Sequence, residues 1–250
     1  MKLRARLISP LVICVALFTT NALAADPYRL DAETYTAAIR QAAGHPNERS
    51  RWHGLWAYSQ QRYVEARKHF VSAARYGDKP SQYLLSVMHL QGEGGNVDPV
   101  EAYIWADLAA ERGNSNELLL VREKIWLALT PEQQQSAVKL GSDFYARYGD
   151  AVAVPRTNSY IGRFSRGRTG SRAGGDTGTM AITFGAGTPN NQMACASAGN
   201  QPETKMQQGD FYNALRTDAS LYWKGQDVAL RAILVGRVKV GKLERASLTP

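Results

Sequence analysis

Few residues in this sequence could perform chemistry. None of its four histidines belongs to a His-x-x-x-His or His-Glu-x-x-His pattern, which a zinc site on a helix would require. There is no Gly-x-Ser-x-Gly elbow, and no glycine loop ends in the Lys-Ser or Lys-Thr pair of a phosphate-binding loop. The sequence therefore favours a protein that is not an enzyme and needs no cofactor or metal. The histidines are His45, His53, His69 and His89.

The first 24 residues have the composition of a secretory signal peptide. Three basic residues precede an apolar stretch from Leu7 to Phe18, and small residues follow at Ala22 and Ala24. The apolar stretch is short for a membrane-spanning helix, although a retained helical anchor is the alternative. We therefore expect an exported protein with no membrane span in its mature chain.

Removal of this segment changes the charge and the cysteine content. It takes away three of the 30 basic residues and no acidic residue, so the net charge falls from +8 to +5. It also takes away Cys14, and the remaining Cys195 cannot form an internal disulfide bond. Cys195 is expected to be free, with an intermolecular link as the alternative.

The rest of the chain has two parts of different composition. Residues 25–150 carry 14 basic and 16 acidic side chains, whereas residues 151–250 carry 13 and 6 and contain 13 of the 22 glycines. A boundary is predicted between Gly149 and Pro155. The predicted organisation is a signal peptide (1–24), a helical domain (25–149), a Gly- and Arg-rich flexible linker (150–205) and a small C-terminal segment (206–250).

The first part is predicted to be all-α. N-cap and first-turn proline patterns at Asp98-Pro99 and Thr130-Pro131 indicate helix starts. Glycines follow helical patterns at the positions where a left-handed residue ends a helix. They are Gly44, Gly77, Gly113 and Gly149. These signals predict seven helices, near residues 31–43, 47–60, 62–76, 80–91, 98–112, 115–129 and 131–148.

The helical part repeats itself. Residues 64–78 align with residues 100–114 with six identities in fifteen positions. Phe70 and Trp105 supply apolar area on one face of each copy, and small residues beside them let a neighbouring helix approach closely. The small residues are Ala66 and Ala73 in the first copy and Ala102, Ala106 and Ala109 in the second. Because a single helix pair would leave this face in water, such pairs are expected to stack.

Residues 81–113 resemble a Sel1-like repeat, a longer-looped relative of the tetratricopeptide repeat. The matching positions are Gln82, Tyr83, Leu85, Met88, Gly92, Gly94, Asp98, Ala102, Trp105, Ala109, Ala110 and Gly113, and the departures are Ser86, His89 and Gly95. Residues 50–77 are similar to a plain tetratricopeptide unit, and residues 114–148 to the closing segment of bacterial Sel1-type proteins. The resemblance implies a short α-solenoid that binds proteins or peptides without catalysis. With the signal peptide it implies a periplasmic location, secretion being the alternative.

Candidate partner-binding residues follow from this resemblance. In the family, the first helices of successive pairs line the concave surface. Gln82, Ser86 and His89 form a polar stripe on such a helix, so this stripe is the predicted contact face, with a solvated face lacking any partner as the alternative. One repeat earlier, Trp52 and Trp56 are either interface anchors or core residues.

Arginines alternate with glycines and small residues over 156–172. The segment is either a solvated linker or an anion-binding arm for an envelope polymer or a membrane surface. Nucleic acid is not the expected partner of an exported protein. The candidate anion-binding residues are Arg163, Arg166, Arg168 and Arg172.

Short segments of the C-terminal part are predicted to form regular secondary structure. A strand is predicted near 180–184, and a β-hairpin over 220–235 with its turn at Lys224–Asp227. Such a segment is too small to be stable alone, so it must dock on the helices or on another chain. No motif supports an enzyme site within 151–250.

We predict that the mature protein begins at Ala25, because the small residues Ala22 and Ala24 suit signal peptidase. Intact-mass spectrometry of the protein recovered from the producing bacterium measures this directly. A chain that retains residues 1–24 and stays in the membrane fraction would contradict cleavage and favour the retained anchor.

Overall fold

A computed structural model of the chain describes residues 30–166, 179–182, 204–207 and 211–235, most of which are helical. The helices, in chain order, are α1 (Ala32–Gln41), α2 (Pro46–Ser59), α3 (Tyr63–Ala74), α4 (Lys79–Gln91), α5 (Pro99–Ala110), α6 (Asn116–Ala128), α7 (Pro131–Tyr148), α8 (Asp150–Arg166), α9 (Ala214–Thr217) and α10 (Ala219–Val235). The strands β1 (Thr179–Ile182) and β2 (Thr204–Gln207) pair antiparallel, with Met180 opposite Met206. In the described ranges, no helix is long and apolar enough to cross a membrane.

The seven helices predicted for the first part are confirmed, with ends that agree to within two residues. Two of their starts use the expected capping groups. The Asp98 carboxylate accepts hydrogen bonds from the backbone N–H groups of Val100 and Glu101 at 3.0 and 2.9 Å. Thr130 and Gln133 form a reciprocal capping box at the start of α7. Local sequence therefore decides where α5 and α7 begin.

Consecutive helices pack as neighbours. The most extensive contacts join α2 to α3 and α4 to α5, and α3 and α5 in turn contact the helices that follow them. The small residues predicted at the helix contacts, from Ala66 to Ala109, are buried together with Phe70 and Trp105. The result is a helical, repeat-like arrangement with one continuous apolar core running from α2 to α7.

Two glycines allow unusually close approaches. At Gly54 in α2, an added Cβ would lie 2.5 Å from the Phe70 ring of α3. Gly94, in the loop after α4, has a φ of +77°, and a Cβ there would lie 2.7 Å from the backbone carbon of Tyr63. The first glycine brings α2 and α3 together, and the second lets the loop lie against the start of α3.

The predicted boundary after residue 149 is wrong. Gly149 has a φ of −64° rather than a left-handed conformation, and α8 begins immediately after it. Residues 150–166 are therefore helical and not the start of a linker. About half of these residues are polar or charged, but Ala153, Thr157 and Ile161 recur every fourth residue and are buried. Pro155 removes only one backbone hydrogen bond near the start of this helix.

The predicted β-hairpin over 220–235 is also wrong, because these residues form α10. Tyr222, Leu230 and Leu234 lie on one helical face, and all three are buried. Aromatic and β-branched residues favoured strands in this stretch, but packing of one helical face against the other helices outweighs local propensity. The strand predicted near 180 overlaps β1, and residues 236–250 lie outside the described ranges.

We expect Gly54→Ala to lower the free energy of unfolding by about 1–3 kcal/mol, because the new methyl group would overlap the buried Phe70 ring. Guanidinium-chloride unfolding followed by circular dichroism measures the change. The matched control is Gly141→Ala in α7, where an added Cβ meets nothing within 4 Å. It should raise stability by up to about 1 kcal/mol through helix propensity alone. Equal effects of both substitutions would refute the close approach at Gly54.

Candidate functional site

The predicted partner-binding stripe on α4 is not at the surface. Gln82 and Ser86 have no exposed surface, and His89 is 9% exposed. The Gln82 amide donates a hydrogen bond to the carbonyl oxygen of Tyr148, 3.1 Å away at the end of α7. The expectation of an open contact face at these residues is therefore wrong, because other helices of the same chain cover this side of α4.

Ser86, His89 and Glu101 have the residue types of an acyl-transfer triad, but not its geometry. His89 Nε2 lies 3.2 Å from Glu101 Oε2. Within the described part of the chain, Ser86 Oγ and His89 Nδ1 have no hydrogen-bond partner. A nucleophilic serine must contact its base and be reachable by substrate, and Ser86 meets neither requirement. Ser86 and His89 are therefore polar groups of the interior, and Glu101 is a partly exposed partner of His89.

Beside this stripe, charged and polar side chains of α2 and α4 form a surface that α8 and α10 cover. We call it the docking face. Its members are Asn47, Glu48 and Arg51 from α2, Asp78 and Lys79 at the start of α4, and Tyr83 of α4.

A buried ion pair at the centre of the docking face joins α2 to α4. Arg51 Nη1 lies 2.7 Å from Asp78 Oδ1, and both side chains are buried. Asp78 Oδ2 also accepts hydrogen bonds from the Ser81 backbone N–H at 3.1 Å and hydroxyl at 2.6 Å, which caps α4. Burial favours a lower pKa for Arg51, but the carboxylates of Asp78 and Glu48 hold that pKa above its usual value. Arg51 is therefore charged, and its charge is paired.

Helix α10 supplies further partners to this ion pair. The Tyr222 hydroxyl donates to Asn47 Oδ1 at 2.9 Å. Gln226 accepts from Arg51 Nη1 at 3.1 Å and donates to Glu48 at 2.6 Å. Burial raises the pKa of Tyr222 well above its usual value, so the hydroxyl keeps its proton and remains a donor.

Lys79 is buried at the other end of the docking face, with 1% of its side chain exposed. Its ammonium group donates to the carbonyl oxygen of Leu108 at 2.7 Å and lies 3.0 Å from carboxylate oxygens of Glu111 and Asp150. Asp150 is the first residue of α8. The Lys79 ammonium group thus holds the start of α8 against α4.

Arg112, just beyond α5, forms ion pairs with both covering helices, α8 and α10. Its Nε lies 2.8 Å from Asp150 Oδ2, and its Nη1 lies 3.4 Å from Asp227 Oδ1 in α10. The guanidinium carbon is 4.4 Å from the ring centroid of Trp223. The helices α8 and α10 therefore each contribute one carboxylate to cations that the first part of the chain presents.

Apolar contacts complete the attachment of α10. Leu230 and Leu234 belong to a buried cluster with Tyr83, Ala109 and Leu118. On another side of the helix, Val228 is 67% exposed. The docking face therefore holds an amphipathic helix through an apolar stripe, one tyrosine hydroxyl and polar side chains at its edge.

The predicted tryptophan anchors are both partly buried. Trp56 stacks on Tyr35 of α1, with ring centroids 4.8 Å apart. The Tyr35 hydroxyl lies 2.7 Å from His53 Nδ1, and the rings of His53 and His69 are 5.3 Å apart. Trp56 therefore helps to hold α1 against the first helix pair. For Trp52, a role as an interface anchor stays a prediction.

Of the candidate anion-binding arginines, the structure places two. Arg163 and Arg166 are exposed on α8. The Arg163 guanidinium carbon lies 4.0 Å from the ring centroid of Tyr160. Arg168, Arg172 and also Cys195 lie outside the described ranges, so a shared site of the four arginines stays a prediction.

The charged residues that hold the docking face together were not predicted from the sequence. Asp78 caps α4, the helix that was predicted to begin near residue 80. Nothing in the local pattern indicated that Lys79 is buried, because its partner Asp150 is distant in sequence.

No model of a known protein family matches this chain, and searches of curated proteins and of solved structures find no match either. Among the residues whose positions are described, no group of three or more histidine, cysteine or acidic side chains is arranged to hold a metal ion.

We predict that stability falls as the pH is lowered from about 6.5 towards 4. Burial, with smaller effects from His69 and Arg67 respectively, lowers the pKa of His53 and of His89 to about 4. Above pH ~6.5 these histidines are neutral in both the folded and the unfolded chain. Below it the unfolded chain takes up protons that the folded chain excludes, which favours unfolding. Urea unfolding at pH 7, 6 and 5 measures the trend.

The matched comparison is the double variant His53→Gln, His89→Gln, which should lose less stability between pH 7 and 5 than the unsubstituted protein. Histidine C–H resonances in NMR spectra give an independent measurement. Midpoints near 6.5 for both rings would contradict the prediction.

Proposed function

We propose that this protein is a non-enzymatic scaffold of the bacterial envelope that binds a helical segment of a protein partner on the docking face. The observation that carries the proposal is the way in which the docking face holds α10. The contact between them combines the apolar side chains Leu230 and Leu234 of α10, aromatic side chains and paired charges. These are the features used in helix-in-groove recognition. The Sel1-like resemblance of residues 81–113 supports the same class of function.

Helix α10 then acts as an internal ligand. A ligand tethered to its site has an effective concentration on the order of millimolar. A partner present at micromolar concentration displaces it only by binding about a thousandfold more tightly, which corresponds to about 4 kcal/mol. The partner must therefore either fit the docking face better than α10 or make additional contacts elsewhere on the protein.

The proposed location is the periplasm, with secretion as the alternative. The basic residues, apolar stretch and small residues of the first 24 positions support export. The assignment of a binding role rather than catalysis is supported by Arg51, Asp78 and Lys79 of the docking face, which are paired with charged groups of the same chain rather than directed at an open cleft.

A second candidate function is binding to an anionic envelope polymer or membrane surface through α8 and the arginines that follow it. The observation that favours it is the exposure of Arg163 and Arg166 on a helix with no acidic residue after Asp150. Arginine suits phosphate and carboxylate groups, and such binding would weaken with salt.

A photo-reactive benzoylphenylalanine in place of Tyr83 tests the main proposal, because Tyr83 shares a buried cluster with Leu230 and Leu234. In the purified protein, irradiation should give an internal cross-link to α10. In the native compartment, it should also give a discrete adduct with another protein. Leu234→Asp should increase that adduct several-fold, because a carboxylate at this buried position loosens α10.

The control places the same photo-reactive residue at Val64 on α3, which is 58% exposed. Adducts that are identical from both positions would mean non-specific collision. The absence of any adduct from position 83, with the Leu234→Asp substitution included, would contradict binding at the docking face.

A further inference from the structure

A second surface feature lies between α5 and α7. It is a cleft with a volume of about 180 Å³. This exceeds the space that a single water molecule occupies and is smaller than the ~300–1,000 Å³ of sites for drug-sized ligands. Its size suits one side chain of a partner better than a cofactor. Its lining includes Tyr103, Ile104 and Asp107 of α5 and Val138, Gly141 and Tyr145 of α7.

The polar group of the cleft is the Asp107 carboxylate. The Tyr145 hydroxyl donates to Asp107 Oδ2 at 2.9 Å. The other carboxylate oxygen, Oδ1, lies 3.6 Å from Arg122 Nη1, which is longer than a hydrogen bond, and the Asp107 side chain is 27% exposed. Oδ1 is thus paired with Arg122 by charge, and the partly exposed carboxylate has further lone pairs that can accept a hydrogen bond from a ligand.

The groups around the carboxylate favour a cation over an anion. Burial and the Asp107 charge raise the pKa of Tyr145, so its hydroxyl stays protonated and adds no second negative charge. The charges that act on Tyr103 are the carboxylates of Asp107 and Glu123 and the guanidinium of Arg122. The ring of Tyr103, tilted against Trp126 at 4.8 Å between centroids, provides an aromatic wall.

The cleft is open at Gly141. A Cβ added there would meet nothing within 4 Å. Ile104 is buried beneath the cleft, and Val138 at its edge is 69% exposed. A group that enters the cleft would therefore contact apolar side chains with its hydrocarbon part and the Asp107 carboxylate with a positively charged end.

We propose that this cleft receives a basic side chain, lysine or arginine, of the partner protein. The alkyl part would lie along Ile104 and the space beside Gly141, and the charged end would meet Asp107 and the face of Tyr103. The inference rests on the proposed function, since it assigns the additional contact that a partner needs in order to compete with α10.

The test uses the full-length mature protein and small probes of the two side chains, n-butylammonium and n-butylguanidinium. Binding is followed by amide and aromatic NMR shifts. The resonances of Gly141, Tyr103 and Tyr145 should shift and saturate at millimolar probe concentration. Neutral n-pentanol, which has similar size, should not give a saturating shift. No saturation with either cation, or equal shifts with n-pentanol, would overturn the proposal.

Two substitutions assign the binding to the cleft. Gly141→Leu fills the open space from a helical position and should abolish the shifts. Asp107→Asn keeps an acceptor for Tyr145 but removes the charge, and should weaken cation binding about fivefold. The control is Gly225→Leu in α10, where an added Cβ also meets nothing within 4 Å, and binding should be unchanged.

Binding that survives Gly141→Leu would place the probes elsewhere and refute the cleft. Failure of this experiment is distinguishable from failure of the proposed function. If the protein cross-links to a partner from position 83 but binds neither cation, binding at the docking face is supported and only the cleft is refuted as a contact.

Discussion

The burial of two adjacent charges at the start of α4 constrains the rest of the structure. Asp78 is 1% exposed and so is Lys79. A buried charge is tolerated only when another charge or a set of hydrogen bonds compensates for lost hydration. Asp78 forms an ion pair with Arg51 of α2, and Lys79 forms ion pairs with Glu111 and with Asp150 of α8. The positions of α2, α5 and α8 around α4 are thus coupled through one pair of neighbouring residues.

Charge pairing also holds α8 and α10 against the docking face. Asp150 at the start of α8 and Asp227 in α10 both approach Arg112, and Trp223 lies beneath the same guanidinium. A partner that displaced α10 would have to replace its contacts with Arg51 and Arg112. Charge and hydrogen-bonding complementarity, and not apolar area alone, would therefore select that partner.

The helices of the first part were predictable because their signals are local. A cap such as Asp98 acts on backbone groups two and three residues away, and the small residues of each repeat lie within one helix. The stripe of Gln82, Ser86 and His89 was predicted correctly as a helical face and wrongly as an accessible one. Accessibility depends on Tyr148, which is far away in sequence. The hairpin expected at 220–235 failed for the same reason, since the burial of Leu234 depends on helices that precede it by about a hundred residues.

The bounds of α1 to α7 were predictable to within two residues, because capping and helical periodicity act over a few residues. That 150–166 and 219–235 are helices, that these helices cover α2 and α4, and that Asp107 and Tyr145 share a cleft could be seen only in the folded chain. These outcomes depend on burial and charge pairing between residues distant in the chain. Such interactions are set by the free energy of the whole assembly and leave no pattern at either position alone.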